Sequence, residues 1–328
     1  MQQPSSGRET NLWAVVLAAG QGSRLREITI VGGEAVPKQF CALHGDVSML
    51  RRTLQRAARR VPNHHIKVVV AAEHRKWWKR ELDDLAAASI VVQPANRGTA
   101  AGVLLPLTPI YRQDPEGVVV LLPADHHVGR EWILQAAIDR AVAAVRTDPD
   151  RVMLLGMTPE DTTDSEYGWI VPAAADPSSG PSPGPMPVRR FREKPPAAEV
   201  AALLAQGALV NSFILVARVR TLHTLYKERL ADLAALFRRW RGGAGSLHNL
   251  YERIPSRDFS RELLEPCADR LWVVSVPPCG WTDLGTPARV ARCLESEGTE
   301  PSPGLLPAPK GFVPPVDLSR RLDRAFRA

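Results

Sequence analysis

Residue types and spacing that could do chemistry first appear at VVLAAGQGSRL, from Val15 to Leu25, followed by Pro37, Lys38 and Gln39. A turn of Ala19, Gly20, Gln21, Gly22 and Ser23 after a buried strand can present several backbone N–H groups to a phosphate, because glycine lets the backbone come close. Arg24 and Lys38 would add the full positive charge that backbone dipoles lack. The plainer reading is a tight turn with two solvated cations. Two familiar nucleotide motifs fail here: Leu25 stands where G-x-G-x-x-G needs its third glycine, and no G-x-x-x-x-G-K-[ST] occurs in the chain.

A second group follows the run GVVVLLP: Pro123, Ala124, Asp125, His126 and His127. A carboxylate at the carboxyl end of a central parallel strand faces the crevice where open α/β sheets bind ligands, so Asp125 is a candidate Mg²⁺ ligand. Its alternative is a helix cap beside two surface histidines. A zinc site on His126 and His127 is disfavoured, since adjacent residues point apart and no third ligand is near in sequence. Much later, Gly280-Trp281-Thr282-Asp283-Leu284-Gly285-Thr286-Pro287 brings a second acid. Thr286 and Pro287 read as the cap and first residue of a helix, which leaves Asp283 before the cap and free to face the crevice. Between the two acids lie Tyr167-Gly168, Phe191-Arg192-Glu193-Lys194-Pro195 and Asn211-Ser212. Lys194 can hold a phosphate as a point charge, Glu193 can accept from sugar hydroxyls, and Asn211 offers both donor and acceptor. Taken singly, each is an ordinary polar residue at a strand end.

The elements that must position these groups are legible as short β-branched runs: LWAVVLA from Leu12, IKVVVAA from Ile66, SIVV from Ser89, GVVVLLP from Gly117 and RVMLLG from Arg151. Continuous apolar strands separated by helical patterns imply a mostly parallel sheet covered on both faces. Leu134, Ile138, Val142 and Val145 share one helical face between Glu131 and Val145. The second half carries strands near Gly168–Val171, Val188–Arg192, Leu209–Val216 and Leu271–Val276, the expected substrate side. DPSSGPSPGPMP, from Asp176 to Pro187, reads as an exposed hairpin loop. The domain expectation is a catalytic unit over residues 11–298. A Pro-rich tail over 299–328 follows, in which Leu318, Leu322 and Phe326 form a short amphipathic helix able to dock on the body or on a second copy in a homodimer.

Bulk properties narrow the function classes. The chain has 328 residues, 45% of them hydrophobic and 23% charged, with a formal charge of +7, which suits anionic partners. The basic residues are spread without a nucleic-acid reader motif, so no nucleic-acid partner is expected. Cys41, Cys267, Cys279 and Cys293 show no paired spacing, which points away from a zinc site or a disulfide framework. The polar start MQQPSSGRET and the lack of a long apolar run imply a cytoplasmic protein with no membrane partner.

Read together and in order, AAGQGSRL, PKQF, QPANRGTAAG, PADHHV, EYGWIVP, FREKP, NSF and GWTDLG resemble the sugar nucleotidyltransferase family, most closely its mannose-1-phosphate guanylyltransferases. The resemblance runs from about Leu12 to Val290. It implies a Rossmann-like α/β three-layer sandwich with a mixed, mostly parallel sheet, and Mg²⁺ held by Asp125 and Asp283. It implies further that Arg24 and Lys38 meet the phosphates of an NTP, GTP by this likeness, within a nucleotide site of Ala18, Ala19, Gly20, Gly22, Ser23 and Arg24. The loop with Gln93, Asn96, Gly98 and Thr99 would meet the base. Gly168, Glu193, Lys194 and Asn211 would hold the sugar phosphate, mannose 1-phosphate by the same likeness. The implied catalytic set is Arg24, Lys38, Asp125, Lys194 and Asp283. Departures from the family pattern are the missing Pro shortly after Arg24-Leu25, Ala95 where an acid or Gly is common, and Phe213 where relatives carry Gly in Trp-Asn-Ser-Gly. The competing readings are a catalytically weak regulatory paralogue, a nucleotidyltransferase for another sugar and NTP, and a glycosyltransferase, for which PADHH lacks the second acid of an Asp-x-Asp metal motif.

Overall fold

A computed structural model of the chain describes residues 11–31, 33–42, 47–159, 165–173, 184–240 and 242–296. The strands are β1 (Leu12–Ala18), β2 (Ile30–Val31), β3 (Glu34–Ala35), β4 (Ile66–Ala71), β5 (Ile90–Gln93), β6 (Val118–Pro123), β7 (Val152–Met157), β8 (Gly168–Pro172), β9 (Met186–Glu193), β10 (Leu209–Arg218) and β11 (Leu271–Val276). The helices are α1 (Met49–Ala58), α2 (Arg75–Glu81), α3 (Gly98–Gln113), α4 (Glu131–Thr147), α5 (Ala197–Leu204), α6 (Val219–Arg229), α7 (Ala231–Arg239), α8 (Ala244–Arg253) and α9 (Pro287–Ser296).

Nine strands form one sheet in the order β5-β4-β1-β6-β10-β7-β11-β9-β8. β6 and β7 are buried along their whole length, which is why they read as unbroken apolar runs without alternation. The first-half strands β5, β4, β1 and β6 are parallel to one another. β10 enters antiparallel between β6 and β7, and β8 and β9 form an antiparallel hairpin beside them. Leu54, Ile138, Val142 and Leu294 from α1, α4 and α9 belong to the core on one face, while Leu104, Leu222, Phe237 and Tyr251 from α3, α6, α7 and α8 belong to the other. This helix, sheet and helix layering is the Rossmann-like sandwich expected from the sequence.

Two local features differ from the sequence reading. Met186 and Pro187 begin β9 and pair with β11, instead of closing a loop. Residues 176–183 of the Pro-rich loop and the whole tail over 299–328 lie outside the described residues. β10 is broken by a register shift between Asn211 and Leu215, where Phe213 takes φ 59°, in the left-handed region. Side chains replace the missing ladder contacts at this bulge. Asn211 Oδ1 accepts from the Phe213 N–H, and the buried Ser212 hydroxyl donates to the Leu155 carbonyl while accepting from the Ile214 N–H. Among the described residues, no helix is long and apolar enough to cross a membrane.

Candidate active site

The glycine turn leaves β1 at the carboxyl end of the parallel strands. Gly22 has φ 59° and opens the 3₁₀ turn Ser23–Leu25, and a Cβ on it would lie 3.1 Å from the Lys38 backbone nitrogen. The turn is held from inside by Gln39, a buried side chain whose Nε2 donates to the carbonyls of Ala18 at 2.9 Å and Gly20 at 3.0 Å. Fixing those two carbonyls leaves the turn's N–H groups to point elsewhere. Arg24 at the rim forms an ion pair with Glu166 at 3.0 Å.

Asp125 follows β6, and Asp283 lies several residues past β11. What sets them side by side is a two-residue antiparallel bridge in which the His127 and Thr282 backbones exchange hydrogen bonds of 2.9 and 3.1 Å. Lys38, only 5% exposed, reaches between the loops: its Nζ lies 2.9 Å from Asp125 Oδ2 and donates to the Asp283 carbonyl. Desolvation in the cleft pushes the Asp125 carboxyl up, but Lys38 and His126 outweigh it and hold it below its ordinary value. Desolvation acts likewise on Asp283, and His126, Arg289 and Lys38 together hold that acid low as well. Burial keeps His126 neutral to lower pH than usual, against the pull of Asp125. Both acids are therefore ionised at neutral pH. Asp283 lines the cleft from its place before the helix cap, with Oδ1 hydrogen-bonded to Arg289, Tyr167 and the Gly285 N–H.

At the far end of the cleft, Gly168 opens β8 against Glu193 at the end of β9. A Cβ on Gly168 would sit 2.5 Å from Glu193 Oε2 and 3.2 Å from Asn211 Cβ, so the absence of a side chain there is what lets the two polar groups approach. Burial, and next the carboxylate of Asp258, push the Glu193 carboxyl up to about 7. Lys194, in the left-handed region at φ 49°, lies 4.0 Å from Glu193 Oε1.

A cleft of about 470 Å³ joins these groups, and fourteen of the seventeen residues expected from the sequence line it. The three that do not are Ala18, Gly22 and Ser23: Ala18 is buried behind the turn, and Gly22 with Ser23 shapes it. Within the expected base loop, several groups already have partners. Gln93 Nε2 donates to the Tyr251 hydroxyl, Asn96 Oδ1 accepts from the Gly98 N–H, and Thr99 Oγ1 accepts from the Phe259 N–H. Gln39, Tyr167, Asp258, Ser260 and Trp281 also line the cleft, although no feature of the sequence assigns them a role in it. A larger groove of about 820 Å³ between α1 and α4, floored by Leu12, Val120, Ile138 and Val142, contains neither acid nor the glycine turn.

The donor set fits Mg²⁺. Among the described residues no cluster of three or more His, Cys, Asp or Glu could hold a metal by itself, yet Mg²⁺ is ordinarily held by one or two carboxylates and completed by phosphate oxygens and water. Two ionised acids lining one cleft with the glycine turn match that pattern.

A sandwich with this strand order carries a glycine turn after β1 and acids after β6 and β11 in one cleft, which defines an α/β domain with a polar site at its strand ends. The family model described as nucleotidyl transferase matches residues 13–295, and the chain belongs to that family. The xanthan biosynthesis protein XanB of Xanthomonas campestris pv. campestris is 30% identical over 295 residues, covering 87% of this chain and 60% of the relative. Mannose-1-phosphate guanylyltransferase ManC of Salmonella typhimurium is 30% identical over 296 residues, covering 85% and 58%. The chain thus spans about three-fifths of the length of these relatives. A crystal structure described as mannose-1-phosphate geranyltransferase from Thermus thermophilus superposes with TM-score 0.73 at 26% identity, covering 90% of this chain and 81% of the other.

Proposed function

We propose that the chain transfers the guanylyl group of GTP to mannose 1-phosphate, giving GDP-mannose and pyrophosphate. The observation that carries this reading is Lys38 lying between Asp125 and Asp283 in a cleft whose other end holds Glu193, Lys194 and Asn211. The N–H groups of the glycine turn, with Arg24 and Lys38, receive the triphosphate. Lys194 orients the phosphate of the sugar as a point charge, and Glu193 and Asn211 take its hydroxyls. A sugar phosphate oxygen is anionic near neutral pH, so it attacks the α-phosphorus without a general base, and these side chains contribute position and charge. Asp125 and Asp283 would hold Mg²⁺, which when bound neutralises charge between the two anionic substrates. Guanine choice would rest on Gln93, Asn96 and the backbone around Gly98, because a buried donor or acceptor left unpaired by the wrong base costs about 1 to 3 kcal/mol. The mannose half of the proposal rests on the named relatives.

Pyrophosphate release measured for every NTP crossed with several sugar 1-phosphates tests the reading. GTP with mannose 1-phosphate is expected as the fastest pair. Faster release with UTP or dTTP overturns the guanylyl assignment, and a better rate with glucose 1-phosphate overturns only the sugar.

A further inference from the structure

Asp283 is clamped on one oxygen. Its Oδ1 accepts from the Gly285 N–H at 2.9 Å, from Arg289 Nη1 at 2.7 Å and from the Tyr167 hydroxyl at 3.2 Å. Arg289 is 4% exposed, and its guanidinium carbon lies 4.1 Å from the centre of the Tyr167 ring, so the cation is packed between carboxylate and aromatic face. Local sequence explains the placement. Thr286 caps α9 by accepting from the Arg289 N–H at 3.3 Å, and side chains in a helix lean back toward its N-terminus, which carries Arg289 over the Asp283–Gly285 turn. No side chain fits between them, since a Cβ on Gly285 would lie 2.5 Å from Asp283 Oδ2 and 2.7 Å from Arg289 Nη1.

Three donors exhaust the lone pairs of Oδ1 and stop the carboxylate from rotating. Oδ2 is the oxygen left with capacity for a cation. We infer that Arg289, with Tyr167, is a positioning pair that fixes the rotation of Asp283 so that Oδ2 is offered to the divalent cation. This rests on the reading above that Asp283 is a Mg²⁺ ligand. A buried cation 2.7 Å from a ligand carboxylate also has an opposing effect, because it competes with the metal for the same charge. The two effects differ in sign. Outer hydrogen-bond partners of a ligating carboxylate typically contribute about 10-fold to 100-fold in metal affinity, and here the clamp outweighs the competition.

Mn²⁺ binding to the full chain, followed by loss of the free-ion EPR signal, tests the inference without turnover. Wild-type protein is expected to bind Mn²⁺ in a manner that Asp283→Asn abolishes. Arg289→Met, which keeps length but removes charge and donor, should weaken Mn²⁺ binding about 10-fold or more. Arg289→Lys should recover part of the loss. Unchanged or tighter binding in folded Arg289→Met overturns the inference. Should circular dichroism show that variant unfolded, Tyr167→Phe decides, since it deletes one oxygen: weaker Mn²⁺ binding supports the clamp and unchanged binding overturns it. Mn²⁺ binding left intact by Asp283→Asn overturns the metal reading itself, and the positioning role with it.

Discussion

Phe213 holds its backbone where glycine is normally required. The left-handed conformation at φ 59° costs an L side chain about 1 to 2 kcal/mol, and the ring, half-buried and 5.7 Å from Phe259, offsets that by packing in the cleft wall beside Asn211. Phe213→Ala keeps the backbone cost and loses the ring, whereas Phe213→Gly loses the ring but removes the cost. Denaturant unfolding should therefore find Phe213→Gly more stable than Phe213→Ala by about 1 kcal/mol. Equal stability would show that the bulge tolerates Cβ freely. The sequence displays the departure at this position but not its conformation, because a bulge depends on the strands to either side. Glu193 gives a pH-dependent expectation. Its carboxyl, ordinarily near 4.5, is raised to about 7, so between those values the folded state keeps a proton that the unfolded state has lost. Folding stability from this group is thus lost as pH rises through that window. Glu193→Gln has no proton to lose, and its stability relative to wild type should increase between pH 5 and pH 8 in parallel urea titrations. A constant difference would mean that Glu193 titrates normally.

The elements couple the two ends of the cleft through the start of α3. Gly98 has φ 76°, a Cβ on it would lie 2.2 Å from the Arg257 carbonyl, and that carbonyl accepts from the Ala100 N–H at 3.1 Å. The loop expected to meet the base is therefore joined to the segment carrying Asp258 and Ser260, which line the same cleft, Asp258 close enough to act on the Glu193 carboxyl. Gly98→Ala should raise KM for both GTP and mannose 1-phosphate, while Lys194→Ala should raise it mainly for the sugar phosphate. Kinetics varying one substrate at a time separate the two patterns, and a Gly98→Ala effect confined to GTP would contradict the coupling. Legibility divides along the same line. The strands, the glycine turn and the Thr286 cap can be read because each is determined by neighbours in sequence. The roles of Gln39 and Tyr167 cannot, because they depend on which segments the fold brings together. Lys38 and the Asp283 carbonyl, for example, are 245 positions apart. Asp283 shows both sides of this: its place before the helix cap predicts that it lines the cleft and Gly285 and Arg289, which hold it, are near in sequence, while Tyr167 comes from elsewhere in the fold.

At the scale of the whole molecule, sheet order makes the site. With β1 next to β6, the glycine turn and Asp125 leave adjacent strand ends, and the His127–Thr282 bridge brings the loop after β11 across β10 and β7 to join them. If that junction is the reaction centre, Asp125→Asn and Asp283→Asn each lose about 100-fold or more in kcat, the scale for removing a group that stabilises transition-state charge. Phosphorus NMR of the full chain with GTP, mannose 1-phosphate and Mg²⁺ reads this out without an indirect coupling step. Wild type is expected to give a nucleotide-sugar diphosphate and pyrophosphate in equal amounts, and either Asn variant to lose both together. Inorganic phosphate from GTP without a nucleotide sugar, or undiminished product in a folded Asn variant, would contradict a nucleotidyl transfer centred on the two acids.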